Sequence, residues 1–143
     1  EKKGLKDLVG TTIAFDELED LEKTNKLAKK GYFGKVIDFD DFYKNPNHGY
    51  RAYHYIIEQD GVPIELQLKT KRMKDVNVLS HDAYKQKNLN ESYNDYITLL
   101  AHQADMGNEE AKDKFRELMR DKDKVKQKLF KNPDKKLELF KHA

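Results

Sequence analysis

Glu65, Gln67 and Lys69 alternate with Ile64, Leu66 and Leu68 in the stretch IELQLKT, residues 64–70. A carboxylate can hold a hard cation or take a proton, an amide can orient it, and an ammonium can neutralise phosphate. An ordinary half-buried strand with this alternation would simply leave such side chains to water. The upstream sequence supports the site reading. Asp60-Gly61 lies between two β-rich runs and predicts a two-residue hairpin with φ > 0 at its centre. Counting outward pairs Gln59 with Val62, Glu58 with Pro63, Ile57 with Ile64, Ile56 with Glu65, Tyr55 with Leu66 and His54 with Gln67. Pro63 then falls at a non-hydrogen-bonded pair, where its missing N–H costs nothing. One face carries Tyr53, Tyr55, Ile57, Ile64, Leu66 and Leu68. The other carries Ala52, His54, Ile56, Glu65, Gln67 and Lys69, so a histidine, a carboxylate, an amide and an ammonium converge on one side.

The elements that must hold this hairpin can be read along the chain. Residues 9–15, VGTTIAF, read as a strand by their β-branched content. From Asp16 the pattern turns helical, with Leu18, Leu21 and Leu27 on a charged background and a stop at Gly31. Residues 32–39, YFGKVIDF, are a second strand, and a polar loop containing Pro46 and Gly49 leads into the hairpin. Beyond Thr70 the signals are helical: one helix around Met73, Val76, Leu79 and residues 81–84, a second over 91–106, and a third from Asn108 to about Lys131, closed by Pro133. Met106-Gly107-Asn108 reads as a C-cap followed by an N-cap. This order predicts an α+β domain with a mixed or antiparallel sheet.

Composition narrows the classes. The 143 residues suffice for one domain with a real core, and 38% are charged. No apolar run reaches transmembrane length, and the first residues, EKKGLKDLVG, lack the apolar stretch of a signal peptide. A soluble protein without membrane partners is expected. The absence of cysteine excludes disulfides and thiolate metal sites, and the five histidines (His48, His54, His81, His102 and His142) lack metal-ligand spacing, which argues against zinc. Residues 111–143 hold 12 of the 28 Lys and Arg but only 6 of the 26 Asp and Glu. That basic segment reads first as a solvated helix face and second as an RNA-binding surface.

Four blocks occur in order over residues 7–85: Asp7-Leu8-Val9-Gly10; His48-Gly49-Tyr50-Arg51-Ala52-Tyr53-His54; Ile64-Glu65-Leu66-Gln67-Leu68-Lys69-Thr70; and Thr70-x-x-Met73 with His81, Tyr84 and Lys85 beyond it. Together they resemble the synthetase domain of the RelA/SpoT family of (p)ppGpp synthetases, with its D-x-x-G, G-Y-R-S-x-H and E-I-Q-I-R-T signatures. The resemblance implies a nucleotidyltransferase-like mixed sheet of about four to five strands flanked by helices, with a helical C-terminal part. It implies a cytoplasmic enzyme that transfers pyrophosphate from ATP to the 3′-hydroxyl of GDP or GTP, with Mg²⁺ as cofactor. Residue by residue, Glu65 would bind Mg²⁺ or act as base, and Asp7 would be the second metal ligand. Tyr50 would stack on guanine, and His54 would contact phosphate or ribose. Gln67 and Lys69 would support Glu65 and the phosphates, and Lys44 and Arg51 would add positive charge at the loop. His81, Tyr84 and Lys85 would help close the site.

Residues 1–90 would form the synthetase core and residues 91–143 a basic helical extension. The sequence departs from the family pattern at three places. Thr12 stands five residues after Asp7, where the family has arginine, and Asn45-Pro46-Asn47-His48 replaces a Lys-Pro-Asn run directly before Gly-Tyr. Only six residues precede Asp7, whereas the family's basic ATP-binding cluster lies before that block. The core is therefore expected to be N-terminally truncated, and residues 1–143 alone to bind acceptor better than they transfer. Two alternatives accompany this reading. One is a toxin-type relative that pyrophosphorylates the 3′ end of tRNA and is paired with an antitoxin or immunity protein. The other is an inactive nucleotide- or RNA-binding module.

Overall fold

A computed structural model describes residues 8–133. They divide into two compact units, one ending at Lys74 and the other beginning at Asp75. The first unit contains β1 (Val9–Phe15), α1 (Leu18–Lys29), β2 (Lys35–Asp41), β3 (Tyr53–Gln59) and β4 (Val62–Thr70). The sheet order is β1-β4-β3-β2. β1 runs parallel to β4, and the other neighbours are antiparallel, so this is the mixed four-stranded sheet of an α+β fold.

The hairpin register is the one that outward counting from Asp60-Gly61 predicts, pair for pair from Gln59↔Val62 to His54↔Gln67. Asp60 (φ 50°) and Gly61 (φ 80°) both occupy the left-handed region that a two-residue turn of this hand requires. The predicted apolar face is the core. Tyr53, Tyr55, Ile57, Leu66 and Leu68 are buried with Leu21 and Ala28 of α1, and Ile13, Phe15, Leu18 and Ile64 pack around them.

The helix meets the sheet through two of the three expected leucines, Leu18 and Leu21, joined by Asn25 and Ala28 in place of Leu27. Leu21, Asn25 and Ala28 are buried, at i, i+4 and i+7, whereas Leu27 is 43% exposed. Asn25 earns its place chemically. A buried tyrosine keeps its ring in the core only if its hydroxyl finds a partner, and Tyr55 Oη donates to Asn25 Oδ1. Likewise Tyr53 Oη donates to Glu22 Oε2 at 2.6 Å.

The second strand begins later than its β-rich run suggests, at Lys35, because Gly34 (φ 147°) turns the chain first. A Cβ at Gly34 would lie 2.6 Å from the carbonyl oxygen of Glu58. Gly34→Ala should therefore destabilise the first unit by about 1–3 kcal/mol, read as a lower midpoint in urea denaturation.

α2 (Lys71–Lys85) follows β4 directly. Its start is fixed by Thr70 Oγ1, which accepts from Met73 N at 3.1 Å. The second unit adds α3 (Glu91–Asp105), α4 (Glu109–Met119) and α5 (Lys122–Lys128). The single helix expected from Asn108 to Lys131 is in fact two. Asp121 caps the second by accepting from Lys124 N at 3.1 Å, a local bond that competes with helix continuation. Asn90 and Asn108 cap α3 and α4 in the same way. Asn88 ties the far end back, with its Nδ2 donating to Asn132 O at 2.8 Å and its Oδ1 accepting from Asn132 N at 2.9 Å. No helix among the described residues is long and apolar enough to cross a membrane.

Candidate functional site

The second face of the sheet is set by strand register. Gly10, Thr12 and Ala14 of β1 stand beside Glu65, Gln67 and Lys69 of β4. On the other side, Glu65 pairs with Ile56 and Gln67 with His54. A register shift between Val36 and Asp38 makes Asp38 the partner of Ile56 and Asp40 the partner of His54. Rows of residues thus cross the sheet, polar at Thr12, Gln67, His54 and Asp40.

Along β4 the three polar side chains join into a file. Gln67 Nε2 donates to Glu65 Oε1 at 3.1 Å, and Lys69 Nζ donates to Gln67 Oε1 at 2.7 Å. The amide is oriented by its neighbours: its N–H side faces the carboxylate and its oxygen faces the ammonium. Lys69 is 3% exposed, and burial pulls its amine down to about 8, against a smaller upward pull from Glu65. Its Nζ lies 5.0 Å from the centroid of the Tyr50 ring, a cation–π contact.

Tyr50 is presented by a braced loop. Asp41 Oδ1 accepts from the backbone N–H groups of Tyr43 (2.9 Å) and Lys44 (3.0 Å). Asn47 and Tyr50 exchange backbone hydrogen bonds of 3.1 and 2.9 Å around His48 (φ 52°) and Gly49 (φ 83°). Arg51 Nη1 donates to Gly49 O at 2.9 Å, locking the same turn. Tyr50 Oη and His54 Nε2 share a hydrogen bond of 2.8 Å. The Phe42 ring packs against both, with centroids 4.9 Å from His54 and 5.9 Å from Tyr50. Burial, and then the charge of Glu65, push the Tyr50 hydroxyl well above its ordinary range, so it stays protonated at neutral pH.

The structure therefore brings Glu65, Gln67, Lys69, Tyr50 and His54 into one connected cluster. Arg51 lies at its edge with its guanidinium directed to the loop backbone, and Lys44 is exposed on that loop. Asp7 falls outside the described residues. His81, Tyr84 and Lys85 belong to the second unit, where they are exposed on α2. Pattern reading passed over Phe42, Asp38 and Asp40. The strand register could have flagged the two aspartates, but a bulge inside β2 shifts it by one residue.

The donor set suits a hard cation of low protein coordination. Glu65 Oε1 takes the Gln67 amide, and among the described residues Oε2 takes no hydrogen bond. Gly10 beside it has no side chain, and a Cβ there would stand 3.4 Å from Glu65 Oε1. The described residues contain no group of three or more His, Cys, Asp or Glu able to hold a metal. One or two carboxylates completed by substrate phosphates and water is the usual Mg²⁺ arrangement.

Fold and site together define an α+β domain with a mixed sheet, one face of which is core and the other a file of polar groups under a braced aromatic loop. The model of the region found in RelA / SpoT proteins matches residues 1–89, and the chain belongs to this family. The fold is also that of the small alarmone synthetase 1 from Bacillus subtilis. Its crystal structure bound to its product pppGpp aligns with a TM-score of 0.61 at 20% identity, covering 74% of this chain and 62% of that one. A second crystal structure of that synthetase gives a TM-score of 0.56 at 21% identity, covering 76% and 63%. The chain thus spans less than two thirds of the length of these structures. No curated protein matches it.

Proposed function

We propose that the first unit belongs to a synthetase core, residues 1–90, that transfers pyrophosphate from ATP to the 3′-hydroxyl of GDP or GTP. The observation that carries this reading is the Glu65–Gln67–Lys69 file joined to Tyr50–His54, in a RelA/SpoT chain sharing the fold of a pppGpp-bound synthetase. In the reaction the acceptor's 3′-oxygen bonds to the β-phosphorus of ATP. The bond from that phosphorus to the bridging α–β oxygen breaks, and AMP leaves with its electron pair. The hydroxyl proton passes to Glu65 or to water. Mg²⁺, held by Glu65 and Asp7, would supply neutralisation of phosphate charge. Lys69, Arg51 and Lys44 add fixed positive charge, Gln67 holds Glu65 in orientation, and His54 keeps Tyr50 in place while facing phosphate or ribose.

The test is transfer from radiolabelled ATP by the intact native protein, with GDP, GTP and tRNA offered separately. Labelled product on a guanine nucleotide supports the proposal, and label on tRNA alone would reassign the acceptor. A second reading, nucleotide binding without transfer, is favoured by Thr12. It stands beside Gln67 on the polar face, where the family carries arginine. Tight GDP binding with no labelled product of any kind would select that reading.

Tyr50 gives a separate prediction. Tyr50→Phe keeps the aromatic face and loses one hydrogen bond, so acceptor affinity should change little. Tyr50→Ala should weaken acceptor binding by about 1–3 kcal/mol, the worth of a stacked base. Equal affinities for the two variants, measured by calorimetric titration with GDP, would reduce Tyr50 to a turn residue.

A further inference from the structure

We propose that the helical second unit holds a binding site of its own for a base–phosphate unit, independent of the sheet-face reading above. Three helices converge on a cavity of about 310 Å³: Tyr93 and Tyr96 from α3, Lys114 and Leu118 from α4, and Lys124 and Lys128 from α5. That volume lies at the lower end of the range for small-ligand pockets, ~300–1,000 Å³.

The lining separates into two chemistries. The tyrosine rings, with centroids 6.1 Å apart and planes inclined by 36°, form an aromatic wall. Tyr96 is 49% exposed, so its ring is accessible to a planar partner. Tyr93 Oη is buried and has no hydrogen-bond partner among the described residues.

The second chemistry is positive charge. Lys114 is paired with Glu110 at 3.2 Å, and Glu117 adds one negative charge to the lining. Lys124 and Lys128 have no ion pair among the described residues, and Lys128 Nζ lies 5.8 Å from the Tyr93 ring centroid. An aromatic wall beside two unpaired ammonium groups fits one ligand class best: a stacking base with an attached phosphate. Such a unit could arrive as a free nucleotide or within single-stranded RNA.

The test is ligand protection of individual lysines from reductive methylation, mapped by mass spectrometry on the intact native protein. This readout is local to the lysines that line the cavity. Lys112, paired with Glu109 on the α4 surface, is the reference. The probes are GMP, guanosine, inorganic phosphate and a single-stranded RNA tetramer. GMP should slow modification of Lys124 and Lys128 several-fold relative to Lys112, while guanosine and phosphate should do so weakly. Stronger protection by the tetramer than by GMP would support the site and identify a strand as the source. Tyr96→Ala removes an exposed ring at little cost to folding and should abolish the GMP effect. Protection by phosphate equal to that by GMP, no protection by any probe, or full protection in the Tyr96→Ala protein would each overturn the proposal.

Discussion

Replacing Glu65 by glutamine in the intact protein is expected to lower pyrophosphate transfer by at least about two orders of magnitude. The substitution preserves volume, and its amide oxygen can still accept from Gln67 Nε2, which donates to Glu65 Oε1 at 3.1 Å in the native file. The hairpin should therefore stand and the melting temperature should barely move. What disappears is one negative charge at the place where Gly10 opens the sheet surface. A hard cation and a departing proton both need that charge. A variant that keeps more than about a tenth of the native rate removes Glu65 from the chemistry.

The hairpin was legible before any coordinates because its signals agree across levels. Asp-Gly chooses the turn, the turn fixes the register, and the register sorts alternate residues to opposite faces. The four-stranded mixed sheet follows from the same β-rich runs. Other features depend on tertiary partners. Asn25 looks like a surface residue on a polar helix, and only the Tyr55 hydroxyl makes its burial favourable. Leu27 fits an apolar stripe by type, yet the helix rotates to put the smaller Ala28 against the sheet. The break at Asp121 was hidden because Arg120 and Lys122 on either side are good helix formers, whereas one cap bond decides the boundary. Within the site, alternation placed Gln67 and Lys69 on the polar face. It could not show that Lys69 would be buried there, because that depends on the loop bringing Tyr50 close to its ammonium group.

That burial makes Lys69→Met informative, because activity and stability should move in opposite directions. Lys69 Nζ donates to Gln67 Oε1 and lies over Tyr50, with no carboxylate in direct contact among the described residues. Its amine is lowered from 10.5 to about 8. A lysine depressed in the folded state binds its proton less tightly there than in the unfolded chain. The resulting cost is therefore full below about pH 8, on the order of 3 kcal/mol, and fades as pH rises toward the unfolded value. The native protein should gain stability from pH 7 to 9.5 relative to the methionine variant, which has nothing to titrate at this position. At pH 7 the variant should be the more stable by about 1–2 kcal/mol, since Gln67 Oε1 loses its donor and returns part of the gain. Transfer should nevertheless fall by about ten- to a hundredfold, the loss expected when a charge-assisted contact worth about 1.5–3 kcal/mol is removed. Urea denaturation at the two pH values, beside initial rates, separates the outcomes. A variant both more stable and fully active would mean that Lys69 only fills space, and a less stable one would mean that its charge is compensated in the fold.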